Sequence, residues 1–173
     1  MTTASSPALA RPSAFRTIFW AGIACGIPDI IAACVTSYVM RGTKPVRLLQ
    51  GIAYGLLGPK AFSGGLPVAA LGLACHFFVA FCAATAFYLV SRRATFLLRL
   101  PFLIGPLYGV VVYSIMYWIV MPIVYGHRPF NLTVTIIAII THMVCVGTPI
   151  VLVVDHFSRC AGDRSATSSF GRN

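Results

Sequence analysis

Long apolar stretches alternate with short polar segments along this chain. Four of the apolar stretches are long enough to cross a bilayer as helices, for which about 20 residues suffice. They lie near residues 16–39, 66–90, 100–122 and 132–154. The pattern predicts an all-α integral membrane protein whose four transmembrane helices form one bundle over residues 16–154. The segments 1–15 and 155–173 are rich in small and polar residues, which is typical of flexible tails.

A fifth, shorter helix is predicted in the first connection, over residues 45–57. Thr43 can cap it, Pro45 suits its first turn, and Gly58-Pro59 ends it. Arg47, Gln50 and Tyr54 form one polar stripe on an otherwise apolar helix, which favours a position at the membrane interface. Gly51, Gly55 and Gly58 also run along it and would suit a re-entrant helix packed on the bundle. The segment is therefore interpreted as interfacial or re-entrant.

Composition and charge agree with this architecture. The hydrophobic fraction is 58% and the charged fraction 9%, whereas globular domains have about 45–50% and about 25%. Eight basic residues fall on the side of the termini, against five on the other side. The positive-inside rule therefore places both termini in the cytoplasm. The net charge of +10 is interpreted as topology and contact with anionic lipid headgroups, and nucleic-acid binding is not expected.

Cysteines and processing signals change this picture little. Five of the six cysteines lie within the predicted spans and Cys160 lies in the C-terminal segment, so a disulfide framework is not expected. Arg11 and Arg16 before an apolar run resemble a signal peptide, but Pro28 and Asp29 would interrupt its core. The first span is expected to be retained.

One protonatable side chain lies near the middle of each predicted span. Counted from the span ends opposite the termini, the four fall about 15 Å deep. They are Asp29, His76, Tyr113 and His142. Asp29 is one of only three acidic residues in the chain, and a charge at the bilayer centre costs a few kcal/mol. This buried polar layer is the candidate functional site.

Three interpretations of the layer remain open. Its members can hydrogen-bond one another as structural contacts between helices. They can form a proton or ion path, or a pH sensor, in which Asp29 and the histidines change protonation. They can also bind a cofactor. In that case His76 and His142 would be axial ligands of a b-type haem with Arg47 and Arg128 near its propionates, or Asp29, His76, His142 and Cys145 would bind a divalent metal.

Each interpretation corresponds to an expected function. A proton or ion path indicates proton- or ion-linked transport or pH response, and a cofactor site indicates a haem- or metal-binding membrane module. A purely structural layer indicates an accessory subunit of a membrane complex. The chain contains no phosphate-binding glycine loop, no G-x-S-x-G, no H-E-x-x-H and no carboxylate pair, so an enzyme is not favoured.

Small residues and prolines indicate how the spans pack. Gly22 and Gly26 form a GxxxG pair, and Gly105 and Gly109 form another. Such pairs let helices approach closely, within one chain or in an oligomer or complex. Prolines within the spans, at positions 28, 106 and 149, predict kinks or breaks.

Several stretches resemble the YagU-like family of small bacterial inner-membrane proteins. They comprise residues 22–33 around Asp29, 45–53 (Pro-Val-Arg-Leu-Leu-Gln-Gly-Ile-Ala), 61–65, 71–78 including His76, 108–110, and 142–149 including His142. Where relatives commonly carry a serine in the short helix, this chain has Tyr54. The resemblance implies a bacterial inner-membrane location and a link to acid tolerance, and it supplies no activity.

Overall fold

The computed structural model describes residues 14–126 and 130–170, with side chains through residue 160. Helix α1 is Ala14–Arg41, α2 is Pro45–Leu57, α3 is Gly65–Arg93, and α4 is Pro101–Tyr125. Helix α5 comprises Leu132–Thr141, the π-helical turn His142–Gly147, and Thr148–Phe170. Short 3-10 helices, Gly58–Ser63 and Thr95–Leu98, lie in two of the connections.

The predicted fold class is confirmed. Four helices, α1, α3, α4 and α5, are long and apolar enough to span a membrane, and α2 has the predicted bounds. The end of the fourth span differs, because α5 continues beyond residue 154. Arg159 binds Asp155 at 2.8 Å, and the Arg16 guanidinium lies 5.4 Å from the centre of the Phe157 ring. The helix thus continues through residues 155–160, which the sequence analysis assigned to the C-terminal segment.

Helix α2 packs against the bundle through part of its polar stripe. Gln50 is buried and donates to the Gly65 carbonyl at 3.1 Å, while Tyr54 stacks on Tyr125. The crossing of α2 over α3 depends on Gly72, since a Cβ there would lie 1.9 Å from the Leu49 carbonyl oxygen. Gly72 is seven residues into α3, about 10 Å along its axis.

The glycine pairs are used for contacts within the chain. A Cβ on Gly109 would lie 2.3 Å from the His142 carbonyl oxygen, and one on Gly147 would lie 2.0 Å from the Gly105 carbonyl oxygen. Helices α4 and α5 therefore touch backbone to backbone. Gly22 and Gly26 of α1 make room for the rings of Phe81 and Phe77 on α3. Both GxxxG faces are thus covered by neighbouring helices of the same chain.

Two prolines coincide with π-helical turns rather than with breaks. Met121, which precedes Pro122, donates its N–H to the Met116 carbonyl. Thr148, which precedes Pro149, donates its N–H to the Met143 carbonyl. These five-residue steps widen the turn ahead of a ring that would otherwise clash with the preceding turn. Pro28 and Pro106, where kinks or breaks were predicted, lie inside continuous α-helices, so neither proline breaks its helix.

The packed core occupies only one half of the bundle. We call this the terminal half, comprising residues 14–28, 80–93, 101–109 and 146–160. Its fully buried side chains include Ile150, Val151 and Val154 from α5, which pack with Ala21 of α1 and Ala84 of α3. The other half, residues 29–41, 65–79, 110–125 and 131–145 with α2 against it, is called the α2 half. Its helices separate around a cavity.

Candidate functional site

A cavity of about 650 Å³ lies between the spans in the α2 half. The four residues of the predicted polar layer line this one cavity: Asp29, His76, Tyr113 and His142. Each comes from a different span, so the arrangement depends on the packing of the whole bundle.

The cavity enters the bundle from the end where α2 lies. Arg41, Gly126 and Asn131, at or beside the ends of their spans, line its mouth, and Cys25 and Val146 line its deepest part. Sixteen residues of α1 separate Arg41 from Cys25, which corresponds to roughly 24 Å along the helix. Cys25 and Val146 are also members of the packed core. The cavity therefore ends on the core of the terminal half.

Asp29 lies deep in this cavity. Its side chain is half-buried, and within the described part of the chain its carboxylate has neither a hydrogen-bond donor nor a cation as a partner. Asp155 differs in this respect, because Arg159 binds both of its oxygens. Asp29 is also the single acidic side chain among the described residues of the lining. The cavity thus holds one uncompensated carboxylate.

His76 ties the cavity wall of α3 to α1. Its Nε2–H donates to the Gly26 carbonyl oxygen at 2.9 Å, one helical turn before Asp29. A carbonyl oxygen can only accept, so Nε2 carries the hydrogen and Nδ1 is the acceptor of the neutral ring. The sequence allowed a bond between the acidic and imidazole groups. The structure gives His76 a backbone partner instead.

His142 has the opposite tautomer. Its Nδ1–H donates to the Ala138 carbonyl oxygen of its own helix at 2.8 Å, which makes Nε2 the acceptor of the neutral ring. The Tyr113 ring meets it edge to face, with the centroids 5.5 Å apart. His142 also begins the π-helical turn of α5, and such turns are frequent at functional sites.

The residues do not assemble the predicted metal site. Among residues 14–126 and 130–160, no three His, Cys, Asp or Glu side chains lie close enough to hold a metal ion. Cys145, the fourth predicted ligand, does not line the cavity. The four predicted ligands of a divalent metal, Asp29, His76, His142 and Cys145, are therefore not arranged around one point in the structure.

The haem interpretation fits one histidine better than the other. His142 has its Nδ1–H fixed by a carbonyl, as metal-binding histidines usually do. His76 uses Nε2 for the Gly26 carbonyl and would have to break that bond to ligate through this nitrogen. Arg47, expected near the propionates, lies instead over the Phe62 ring at 4.0 Å and does not line the cavity. Arg128 lies outside the described residues.

Two features of the cavity were missed by the sequence analysis. Arg41 lines the mouth, and its Nη2 donates to the buried Ser37 hydroxyl at 2.8 Å. Tyr117 and Trp118 extend an aromatic wall that begins at Tyr113. The sequence spacing could have indicated both features. Asp29, Ser37 and Arg41 are separated by multiples of four residues and so share one face of α1, and Tyr113 and Tyr117 are four residues apart on α4.

Comparison with known proteins does not extend these findings. No protein-family model, no curated protein and no solved structure matches this chain. The resemblance to the YagU-like family stays a prediction, and the cavity alone carries the argument about function.

Proposed function

We propose that this chain is a proton- or cation-coupled transport protein of the bacterial inner membrane. In this proposal the cavity is its external access path and Asp29 is the group that binds the proton or cation. The observation that carries the proposal is the Asp29 carboxylate, which has no partner among the described residues and lies deep in a cavity that ends on a packed core.

Energetics favour this function over a structural role for Asp29. A carboxylate kept for helix packing is expected to have a donor or a cation beside it, because an unpaired charge in the membrane is costly. Asp29 has neither within the described residues. The structural role fits His76 better, because its ring bonds the backbone of a neighbouring helix. The cost of placing Asp29 in the cavity is then offset when a proton or a cation binds there.

The two halves of the bundle suit alternating access. The positive-inside rule places the α2 end outside the cell, so the cavity corresponds to an outward-facing state. About 16 Å of packed helix separates Cys25 from the start of α1 at Ala14. Transport requires that this layer open, and the π-helical turn of α5 lies at its boundary, against Gly105 and Gly109. A wide turn at a glycine contact is a suitable hinge.

Labelling of single cysteines tests the access path. In a background whose six cysteines are replaced by alanine, Ala138→Cys places a thiol on the cavity wall and Ile136→Cys places one on the exposed apolar face of the same helix. The two positions differ in depth by only about 3 Å. A membrane-impermeant thiol reagent added at the α2 end should modify the first variant rapidly and spare the second. Equal labelling, or none, contradicts the proposed path.

A third cysteine tests whether the packed half opens. Ala84 is fully buried in the core of the terminal half. An alternating-access protein should expose Ala84→Cys to the same reagent from the terminal end, at a rate well below that of Ala138→Cys. Labelling at the α2 end alone would overturn transport and indicate a one-sided receptor.

A further inference from the structure

We infer that the cavity selects an amphipathic organic cation, a molecule with one positive charge on an aromatic or aliphatic body. This inference rests on the proposed function and adds the chemical class of its ligand. It depends on the charge, the wall and the size of the cavity.

Charge sets the sign of the ligand. Asp29 is the single acidic side chain of the described lining, and no basic side chain of the described residues forms an ion pair with it. Each histidine bonds a backbone carbonyl through one ring nitrogen and keeps the other for a ligand: Nδ1 in His76 and Nε2 in His142, which accept when the ring is neutral. An ammonium group near Asp29 would meet an anion and these acceptors. An anionic ligand would meet only repulsion there.

The wall of the cavity suits an apolar body. Ile52, Val79, Val112 and Met121 contribute aliphatic surface. Tyr113 stacks on Tyr117 at 5.6 Å between ring centroids, and Trp118 meets Tyr117 edge to face at 5.1 Å. Aromatic faces attract cations through their quadrupoles and also pack against aromatic ligands. A strongly hydrated ion would gain little from this surface.

Size and donor count favour an organic cation over a calcium ion as the ligand of the cavity. About 650 Å³ lies within the range of about 300–1,000 Å³ that is usual for drug-sized ligands. A Ca²⁺ site takes about 6–8 oxygen ligands, whereas Asp29 supplies the single carboxylate of the described lining. An organic cation needs one counter-charge and a large apolar contact, which is what the cavity offers.

Arg41 at the mouth affects the entry of a cation more than its binding. Arg41 is exposed, and its guanidinium donates to the Ser37 hydroxyl. Ser37 lies eight residues from Asp29, which is about 12 Å along α1. That distance exceeds the screening length of about 8 Å at physiological salt, and the mouth is open to solvent. A cation should therefore bind at Asp29 at least as tightly when the Arg41 charge is removed. The same removal should weaken the binding of a zwitterion or an anion that uses the guanidinium.

A pair of probes matched in shape and opposite in charge tests the inference. Tetraphenylphosphonium and tetraphenylborate are offered to the protein in lipid nanodiscs, with empty nanodiscs subtracted, and binding is measured by equilibrium dialysis. The phosphonium should bind saturably at one site per chain and the borate should not. Binding of both, or of the borate alone, overturns the assignment of a cation.

Substitutions locate that binding in the cavity. Asp29→Asn should weaken phosphonium binding at least tenfold, whereas Asp155→Asn should leave it unchanged because that carboxylate is paired outside the cavity. Tyr117→Leu, which keeps every charge, should weaken it about fivefold. Arg41→Gln should preserve or tighten it. Binding that survives Asp29→Asn, or weakens with Arg41→Gln, contradicts the inference.

The outcomes separate this inference from the function on which it rests. If the phosphonium does not bind while the cysteines at 138 and 84 react from opposite ends, the ligand class is wrong and transport stands. If it binds through Asp29 while the cysteine at 84 never reacts, the ligand class stands and transport is wrong.

Discussion

The same four helices pack tightly in the terminal half and separate in the α2 half. In the terminal half, Ile150, Val151 and Val154 are fully buried, and glycines of α4 and α5 bring two backbones into contact. In the α2 half, the helices surround a cavity of about 650 Å³ that contains Asp29, whose carboxylate has no partner in the part of the chain that the structure describes. Both halves are apolar and helical, so composition does not separate them. The size of the residues at the helix contacts does.

This difference shows where stability and function are located. Apolar side chains gain little by leaving lipid for a protein core, so helices in membranes associate through close packing and hydrogen bonds. The terminal half has small residues that allow such packing. In the α2 half, tyrosines, histidines and the π-helical turn Met116–Val120 of α4 line the cavity around which the helices separate. We expect substitutions in the terminal half to change stability and those in the α2 half to change binding.

The largest effect is expected at the glycine contact that joins α4 to α5. Gly147→Ala would place a Cβ 2.0 Å from the Gly105 carbonyl oxygen, and neither backbone can yield without separating the helices. We expect a loss of about 3 kcal/mol in the free energy of unfolding, at the upper end for overpacked sites. Reversible unfolding in mixed micelles with a denaturing detergent measures it.

Gly51→Ala is the matched control for that substitution. Gly51 also lies in a helix, but a Cβ there meets nothing within 4 Å. Alanine should leave stability unchanged or raise it by up to about 1 kcal/mol, since glycine disfavours helix. Equal losses at the two glycines would mean that the terminal half is not held by backbone contact.

The contrast between the halves could be predicted from the sequence only in part. The lengths of the apolar stretches predicted the four spans. Counting residues along these spans placed Asp29, His76, Tyr113 and His142 at a common depth. Counting could not show which way each side chain points, so Arg41 was missed and Arg47 was assigned to the site. It also could not show the bond from His76 to the Gly26 carbonyl, because that depends on the packing of α3 against α1.

Glycine and proline signals were ambiguous for a related reason. A GxxxG pair indicates close approach but not the partner, and the structure gives Gly105 and Gly109 a partner in the same chain. A proline indicates a disturbed helix but not its form. Pro149 follows a π-helical turn, while Pro106 lies five residues after the start of α4 without interrupting it. Neighbouring helices decide these outcomes, and local sequence does not record them.

An effect of opposite sign is expected at Asp29. Asp29→Asn keeps the volume and removes an unpaired charge, so stability at pH 7 should rise, by up to about 2 kcal/mol. Unfolding of both proteins at pH 7 in the same micelles measures this difference. A loss of stability would show that Asp29 is a structural contact and would contradict the proposed function.

Asp155→Asn supplies the comparison for that result. It breaks the bond to Arg159, an ion pair one helical turn apart in which the arginine side chain is 65% exposed. Such pairs contribute about 0.5 kcal/mol, so this variant should be slightly less stable than the wild type. The two aspartate substitutions should therefore shift stability in opposite directions, although they remove the same group.

The smallest changes in unfolding free energy are expected when one kind of hydrogen bond is removed from each half. In the terminal half, the Tyr108 hydroxyl donates to the Ala83 carbonyl at 2.7 Å, and its ring packs against the buried Phe87. In the α2 half, His76 donates to the Gly26 carbonyl on the cavity wall. Each bond joins a side chain to the backbone of a neighbouring helix. We expect Tyr108→Phe to cost about 1 kcal/mol and His76→Phe clearly less.

The reason for that order is the access of water to each bond. Tyr108 packs with the buried core and does not line the cavity, so its bond lies in a lower local dielectric, which strengthens it. At the cavity wall, water can occupy the position that the imidazole N–H leaves. Unfolding free energies of the two variants, measured side by side in the same micelles, give the comparison. If His76→Phe costs as much as Tyr108→Phe, the cavity wall is as dry as the core, and an access path from the α2 end loses its support.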